Sequence, residues 1–371
     1  MRPEHEVSEA IKALGEGIHR IGLNSWQLRT LWAVENCRTQ TMGGHIDRCD
    51  DCGALAISYN SCGNRHCPKC QGRKREEWIA AREVELLPVA YFHLVFTLPE
   101  AVNPLAIHNP KMVYSILFDA AWETLSAFGR NSGVMAGAVC ILHTWGQNLS
   151  LHPHLHCIVP GGGVTKEGQW KNIRPDGEFL FPVRALSKVF RAKYCEKLRY
   201  AEPKQYERIR KSLWEKEWIV YAKKPFGGPK FVVEYLGRYS HKIAISNHRI
   251  KSVDQNEVSF EYKDYRQGGT KKRMNLSLSE FVRRFALHIL PRGFVRIRHF
   301  GFLSSTWKRK KLPILRENIF ALKTKNPEKG TFLPKCPCCK SGRMVIVLQF
   351  GRRGPPSKVL GTGQFGVPCE A

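Results

Sequence analysis

The chain has 371 residues, 43% of them apolar, which is enough to bury a core and to form about two or three domains. Its 59 Lys and Arg residues against 32 Asp and Glu give a formal net charge of +27, which predicts a polyanionic partner. Nucleic acid fits this charge better than a membrane surface does, because no long basic amphipathic helix stands out. No run approaches the ~20 apolar residues of a membrane helix and the N-terminus lacks a signal-peptide pattern, so we expect a cytoplasmic protein without membrane contact.

Residues 1–36 have the apolar spacing of helices. Ile11, Leu14 and Ile18 recur at helical intervals, and a second periodic stretch follows Ser25, which we expect to cap that helix. This pattern indicates packing only.

The next segment is rich in cysteine. Two Cys-x-x-Cys pairs, Cys49 with Cys52 and Cys67 with Cys70, are separated by fourteen residues, and we expect them to form one tetrahedral four-cysteine zinc site. Four neighbours are left open as members of a second site or as substitute ligands: Cys37, His45, Cys62 and His66. An odd total of 13 cysteines favours metal sites and free thiols over a disulfide framework.

A predicted helix over Gln71–Leu87 follows the cysteines and opens with Arg73, Lys74 and Arg75. A zinc module that leads into a basic helix suits contact with the phosphate backbone of DNA. The alternative is an ordinary solvated helix face.

A strand–helix–strand–strand order comes next. Tyr91–Leu98 is predicted as a strand, Lys111–Gly129 as a helix and Val134–Trp145 as a second strand. The strand that follows begins at Leu151. This order predicts an α+β fold with an antiparallel sheet and helices on one face.

His154 and His156 lie two residues apart on the last of these strands, so their rings point to the same face. Neutral imidazole is a common metal ligand, and an inner strand of the sheet would hold the pair rigidly. The triplet also arises by chance, and two hydrogen-bonded histidines are the plain alternative.

Tyr235 and Tyr239 lie four residues apart in Phe231–Ser240. On a helix, that spacing puts both phenols on one face. Alone, the pair would indicate two core or interface aromatics.

Basic residues alternate with aromatics over Phe294–Phe302, and we expect Arg296 and Arg298 to contact DNA there. Near the end, the run from Cys336 to Cys339 looks like half of a zinc site. Only Cys369 follows it, so zinc binding at this end is left open.

These features fit one chemistry together. A tyrosine phenol would attack a phosphorus atom of DNA, and an ion held by the histidine pair would polarise the phosphate. The chain has no phosphate-binding loop for a nucleotide, and this reaction needs none.

The residues that carry this chemistry resemble the rolling-circle transposases of the insertion-sequence ninety-one family, within the HUH tyrosine nucleases. The similar segments are SCGNRHCPKCQ (61–71), FHLVFTLP (92–99), HPHLHCIVPGGG (152–163), YLGRYSHKIAISNHRI (235–250) and GFVRIRHFG (293–301). The resemblance implies an HUH domain, cleavage of single-stranded DNA at transposon ends and a 5′-phosphotyrosine intermediate. It also implies Mg²⁺ or Mn²⁺ on His154 and His156, with Tyr235 and Tyr239 as nucleophiles.

The family uses a third polar ligand, for which His152, His93 and Glu234 are the alternatives. The resemblance further implies target DNA as a partner and a bacterial, nucleoid-associated protein.

The expected division of the chain has five parts: N-terminal helices (1–36), a zinc and DNA-binding module (37–88), the catalytic domain (89–265), a basic continuation (266–330) and a cysteine-containing tail (331–371).

Three other functions remain open: a rolling-circle replication initiator, a zinc hydrolase that uses the histidine pair, and a non-catalytic DNA-binding protein from a decayed element.

Overall fold

We describe a computed structural model of the chain over residues 3–71, 85–173, 180–223, 242–320 and 333–355, with 76, 79, 83, 231, 232 and 237. The strands over these residues are β1 (Gly44–Cys49), β2 (Leu55–Tyr59), β3 (Tyr91–Thr97), β4 (Gly137–Trp145), β5 (Leu151–Pro160), β6 (Gly162–Val164), β7 (Trp170–Asn172), β8 (Val220–Ala222), β9 (Ile250–Val253), β10 (Glu257–Asp264), β11 (Thr270–Ser277), β12 (Ile297–Gly301) and β13 (Met344–Phe350). The α-helices are α1 (Val7–Leu14), α2 (Ser25–Glu35), α3 (Asn103–His108), α4 (Pro110–Asn131), α5 (Val183–Ala201), α6 (Pro203–Glu215), α7 (Leu278–Leu287), α8 (Ser305–Lys310) and α9 (Leu312–Phe320).

A five-stranded antiparallel sheet organises the middle of the chain. Its strand order is β12-β4-β5-β3-β8, so β5 is the central strand. The α+β class and the inner position of the histidine strand, both expected from the sequence, are confirmed. The edge strand β12 comes from beyond the 89–265 range expected for the catalytic domain.

The two faces of this sheet differ in character because side chains alternate along each strand. Leu94, Cys140 and Leu155 lie on one face and share the main core with residues of α4 and α5. The strand register pairs His143 with His154 across β4 and β5, on the opposite face. Helices α4 and α5 therefore pack against one face of the sheet, and the histidines lie on the other face.

Local capping explains where the helices begin. The Asn109 side chain accepts a hydrogen bond from the Met112 N–H, and Pro110 occupies the first turn of α4. At α2 the cap is Asn24 rather than the expected Ser25, and Asn24 and Gln27 bond each other's backbone N–H groups reciprocally.

Two smaller sheets complete the described fold. The order β13-β1-β2 brings the C-terminal strand against the N-terminal cysteine segment, although the sequence suggested a separate tail. The order β11-β10-β9 packs with α1, α2 and α7 in a second core. Among the described residues, no helix combines the length and apolar character needed to cross a membrane.

Candidate active site and metal centres

Three histidines converge on the face of the central sheet away from α4 and α5. We call His143, His154 and His156 the histidine cluster. One ring nitrogen from each lies within 4.8 Å of the other two. The β4–β5 register produces this arrangement, because His143 faces His154 directly and Ile141 faces His156. Three nitrogens on two adjacent inner strands can hold one divalent ion.

Hydrogen bonds orient two of these rings. The Nδ1 of His154 donates to the carbonyl oxygen of His152 at 2.7 Å, which directs its Nε2 lone pair into the cluster. The Nδ1 of His156 lies 2.9 Å from the Nε2 of His93, and the two rings stack at 5.1 Å between centroids. His93 is therefore a partner of a cluster residue, as the outer imidazole or carboxylate commonly is in metal sites.

Burial keeps the rings of His93, His154 and His156 neutral. It lowers the pKa of His154 to about 4, that of His93 to about 3 and that of His156 well below its ordinary value. Nearby positive charge adds to the effect, including that of Lys242 on His154 and His156. Neutral imidazole is the form that binds metal.

His143 was not among the predicted metal ligands. Of the three residues predicted as alternatives for a third ligand, His152 has its ring 5.2 Å from that of His154 between centroids but is not part of the cluster, His93 is hydrogen-bonded to His156, and Glu234 lies outside the described residues. The sequence did contain a signal for His143, because β4 and β5 were both predicted as strands and only residues 146–150 connect them. A short antiparallel connection fixes which residues face each other.

The two predicted DNA-contacting arginines are turned toward the protein. Arg296 is 8% exposed and lies 6.0 Å from the ring centroid of Trp145. Burial lowers its pKa to about 10. The guanidinium of Arg298 lies 4.2 Å above the ring of Phe118 on α4 and 3.9 Å from Asp119. The predicted DNA contacts at both positions are untested, and the packing of each guanidinium against an aromatic ring does not favour them.

The cysteines form two groups, and neither is the expected set of Cys49, Cys52, Cys67 and Cys70. The local group contains Cys37, Cys62, Cys67 and Cys70. The long-range group contains Cys49, Cys52, Cys336 and Cys339. In each group, the four Sγ atoms lie within 4.8 Å of one another. The two Cys-x-x-Cys pairs are therefore split between the groups.

The remaining predicted zinc ligands stand apart from both groups. His45 Nε2 lies 3.4 Å from the carboxylate of Asp47, and His66 Nε2 accepts a hydrogen bond from the N–H of Leu290. The predicted nucleophiles Tyr235 and Tyr239, and the predicted DNA contacts Arg73, Lys74 and Arg75, lie outside the described residues.

Comparison with known proteins places this site in a family. The model described as "Putative transposase" matches residues 137–311, and the model described as "Transposase zinc-binding domain" matches residues 10–98. The first of these ranges contains the histidine cluster, and the second contains the local cysteine group.

Two relatives match along nearly the whole chain. One, from Sinorhizobium fredii, is named "Putative transposase y4qJ" and is 41% identical over 388 aligned positions, covering 95% of this chain and 97% of its own length. The other is the transposase for insertion sequence element IS801 of Pseudomonas savastanoi pv. phaseolicola, 28% identical over 352 positions, or 92% and 85% of the two chains. No solved structure matches the chain. The chain belongs to the transposases of the insertion-sequence ninety-one family and carries their zinc-binding domain.

Proposed function

We propose that this transposase nicks and rejoins single-stranded DNA at transposon ends through a 5′-phosphotyrosine intermediate, using an HUH-type catalytic domain. The observation that carries the proposal is the histidine cluster on two adjacent inner strands of an antiparallel sheet. The two inner strands would hold the ion site of such an enzyme rigidly.

The histidine cluster would hold the divalent ion, Mg²⁺ or Mn²⁺, and the ion would supply Lewis-acid polarisation of the scissile phosphate. All three donors are imidazole nitrogens, whereas Mg²⁺ prefers oxygen ligands. We therefore expect Mn²⁺ to support the reaction at a lower concentration than Mg²⁺.

Tyr235 and Tyr239 are the proposed nucleophiles. The phenol oxygen forms a bond to the phosphorus, the 3′-oxygen of the preceding nucleotide leaves, and the phenol proton ends on that free 3′-hydroxyl. One phosphoester replaces another, so a later 3′-hydroxyl can reverse the step and rejoin a strand. The charge of Lys242, which reaches His154 and His156 and follows Tyr239 by three residues, would help to ionise a phenol of ordinary pKa near 10.

Three alternatives predict different outcomes. A replication initiator would use the same chemistry at a replication origin, and the names of both relatives favour the transposase. A zinc hydrolase is compatible with three imidazole ligands, but it would leave no protein on the DNA. A decayed element would bind DNA without cutting it.

The test incubates the protein with labelled single-stranded DNA that carries the element's end, with Mn²⁺ or Mg²⁺, and separates the products on a denaturing gel. We expect a protein–DNA adduct that forms with the wild type and disappears when Tyr235→Phe and Tyr239→Phe are combined. Tyr200→Phe is the matched control, because Tyr200 is 92% exposed on α5, and it should form the adduct normally.

Cleavage without an adduct would contradict the proposal and favour hydrolysis. Tight DNA binding without cleavage in either metal would favour the decayed element. An adduct that persists in the double tyrosine variant would exclude both tyrosines as the nucleophile.

A further inference from the structure

We propose that the long-range cysteine group is a second structural zinc site, which joins the C-terminal segment to the N-terminal module. Two of its members, Cys336 and Cys339, lie far outside the 10–98 range matched by the zinc-binding family model. The site is therefore separate from the local group and is made from opposite ends of the chain.

The sulfur positions fit a tetrahedral ion. Cys49 Sγ lies 3.7 Å from Cys339 Sγ, and Cys52 Sγ lies 3.7 Å from Cys336 Sγ. Four sulfurs at the usual zinc–sulfur distance of about 2.3 Å stand about 3.8 Å apart at the corners of a tetrahedron. These sequence separations of 290 and 284 residues exclude a local turn as the cause of the approach.

The two halves of the site repeat the same backbone. In the first turn, the N–H of Asp51 donates to the Sγ of Cys49, and in the second the N–H of Cys338 donates to the Sγ of Cys336. The residue after each second cysteine has a left-handed backbone, with φ of 72° at Gly53 and 59° at Lys340.

In both turns, that left-handed residue donates its N–H to the carbonyl of the first cysteine. A non-glycine residue adopts such a φ only where surrounding structure holds it there. N–H groups aimed at sulfur favour the thiolate, which is the metal-binding form. Both turns thus have the form of a zinc-binding knuckle.

Gly342 shows how closely the halves are fitted. A Cβ atom at this position would collide with the Sγ of Cys49 and would lie 2.7 Å from the Cβ of Asp51. The N–H of Gly342 donates to the Sγ of Cys339 at 3.3 Å. Only glycine permits the second turn to approach the first cysteine this closely.

Strand pairing and a few surface hydrogen bonds hold the C-terminal segment, but the apolar core beneath it is small. β13 pairs with β1 from Gly44 to Cys49, and the cysteines close one end of that pairing. The small core beneath contains only Cys49, Cys336 and Met344 as buried members among the described residues, and Val345, Ile346 and Val347 stay 39–49% exposed. A core of this size needs a metal or another cross-link to be stable.

The test measures metal in the full-length protein by mass spectrometry. Relative to the wild type, the combined Cys336→Ser and Cys339→Ser variant should lose one zinc per chain, and Cys62→Ser with Cys67→Ser should lose a different one. The combination of all four changes should lose two. Cys195→Ala, at a buried cysteine of α5 outside both groups, should lose none.

A second measurement on the wild type avoids variants that fail to fold. Alkylation followed by peptide mapping should find all four long-range cysteines protected, and a chelator should expose them together. The proposal is overturned if the Cys336 and Cys339 variant keeps its full zinc content, if their alkylation is unaffected by chelation, or if disulfides rather than zinc link the two halves.

Discussion

At the scale of single residues, His93 is the most informative side chain of the candidate site. It is 2% exposed and contacts the histidine cluster through His156. We predict that His93→Ala raises the Mn²⁺ concentration needed for half-maximal adduct formation by about 10- to 100-fold, the usual effect of losing an outer partner of a metal ligand. Excess Mn²⁺ should restore the adduct, because the nucleophile and the three cluster rings remain.

The conservative variant separates orientation from packing. His93→Gln keeps a side-chain acceptor that can reach the Nδ1–H of His156 and should recover most of the metal affinity, while His108→Ala, at an exposed histidine of α3, should change nothing. A His93→Ala protein with normal metal dependence would show that this ring has no part in orienting His156.

At the scale of elements, the edge strand β12 is fastened to α4 through Arg298. Its guanidinium lies over the rings of Phe118 and Phe294 at 4.2 and 5.2 Å. We predict that Arg298→Ala lowers the free energy of unfolding by about 1 kcal/mol and leaves the salt dependence of DNA binding unchanged. Urea denaturation and binding titrations measure the two effects, with the exposed Lys271→Ala on β11 as the control. A smaller salt slope for Arg298→Ala would instead show that Arg298 contacts a DNA phosphate.

The same elements show what could be predicted from the sequence. β3, β4, β5 and α4 were predicted to within a few residues, because each is a continuous stretch with its own apolar period. His143 could have been predicted as a third ligand from the register of the β4–β5 hairpin. That prediction requires the two strands to be aligned first, because His143 and His154 are neighbours only across the pairing. The burial of Arg296 depends on Trp145 and other residues distant in sequence, which no local pattern encodes.

The two cysteine groups also depend on contacts between residues distant in sequence. Spacing along the chain favoured Cys49 and Cys52 as partners of Cys67 and Cys70, because Cys-x-x-Cys pairs near each other usually share an ion. The structure instead pairs them with Cys336 and Cys339 across 284 or more residues. The β1–β13 pairing brings these ends together, and a strand's partner depends on the whole fold.

At the scale of the whole molecule, the formal net charge of +27 predicts that DNA binding depends steeply on salt. Each phosphate neutralised on a single strand contributes about −0.7 to the slope of log K against log salt concentration. If the chain contacts about five phosphates or more, we expect a slope steeper than about −3.5. The double tyrosine variant should keep the same slope, because binding precedes the covalent step.

Whether this charge acts at a defined surface is tested by two variants that each remove three positive charges. One changes Arg73, Lys74 and Arg75 to Ala, and the other changes Lys204, Arg208 and Lys211, which are exposed on one face of α6. We predict that the first flattens the salt slope by about 2 and the second leaves it nearly unchanged, since only direct phosphate contacts release counterions. Equal, small effects of both variants would mean that these lysines and arginines act through the overall field of the protein, and the basic helix after the zinc module would then not be a DNA contact.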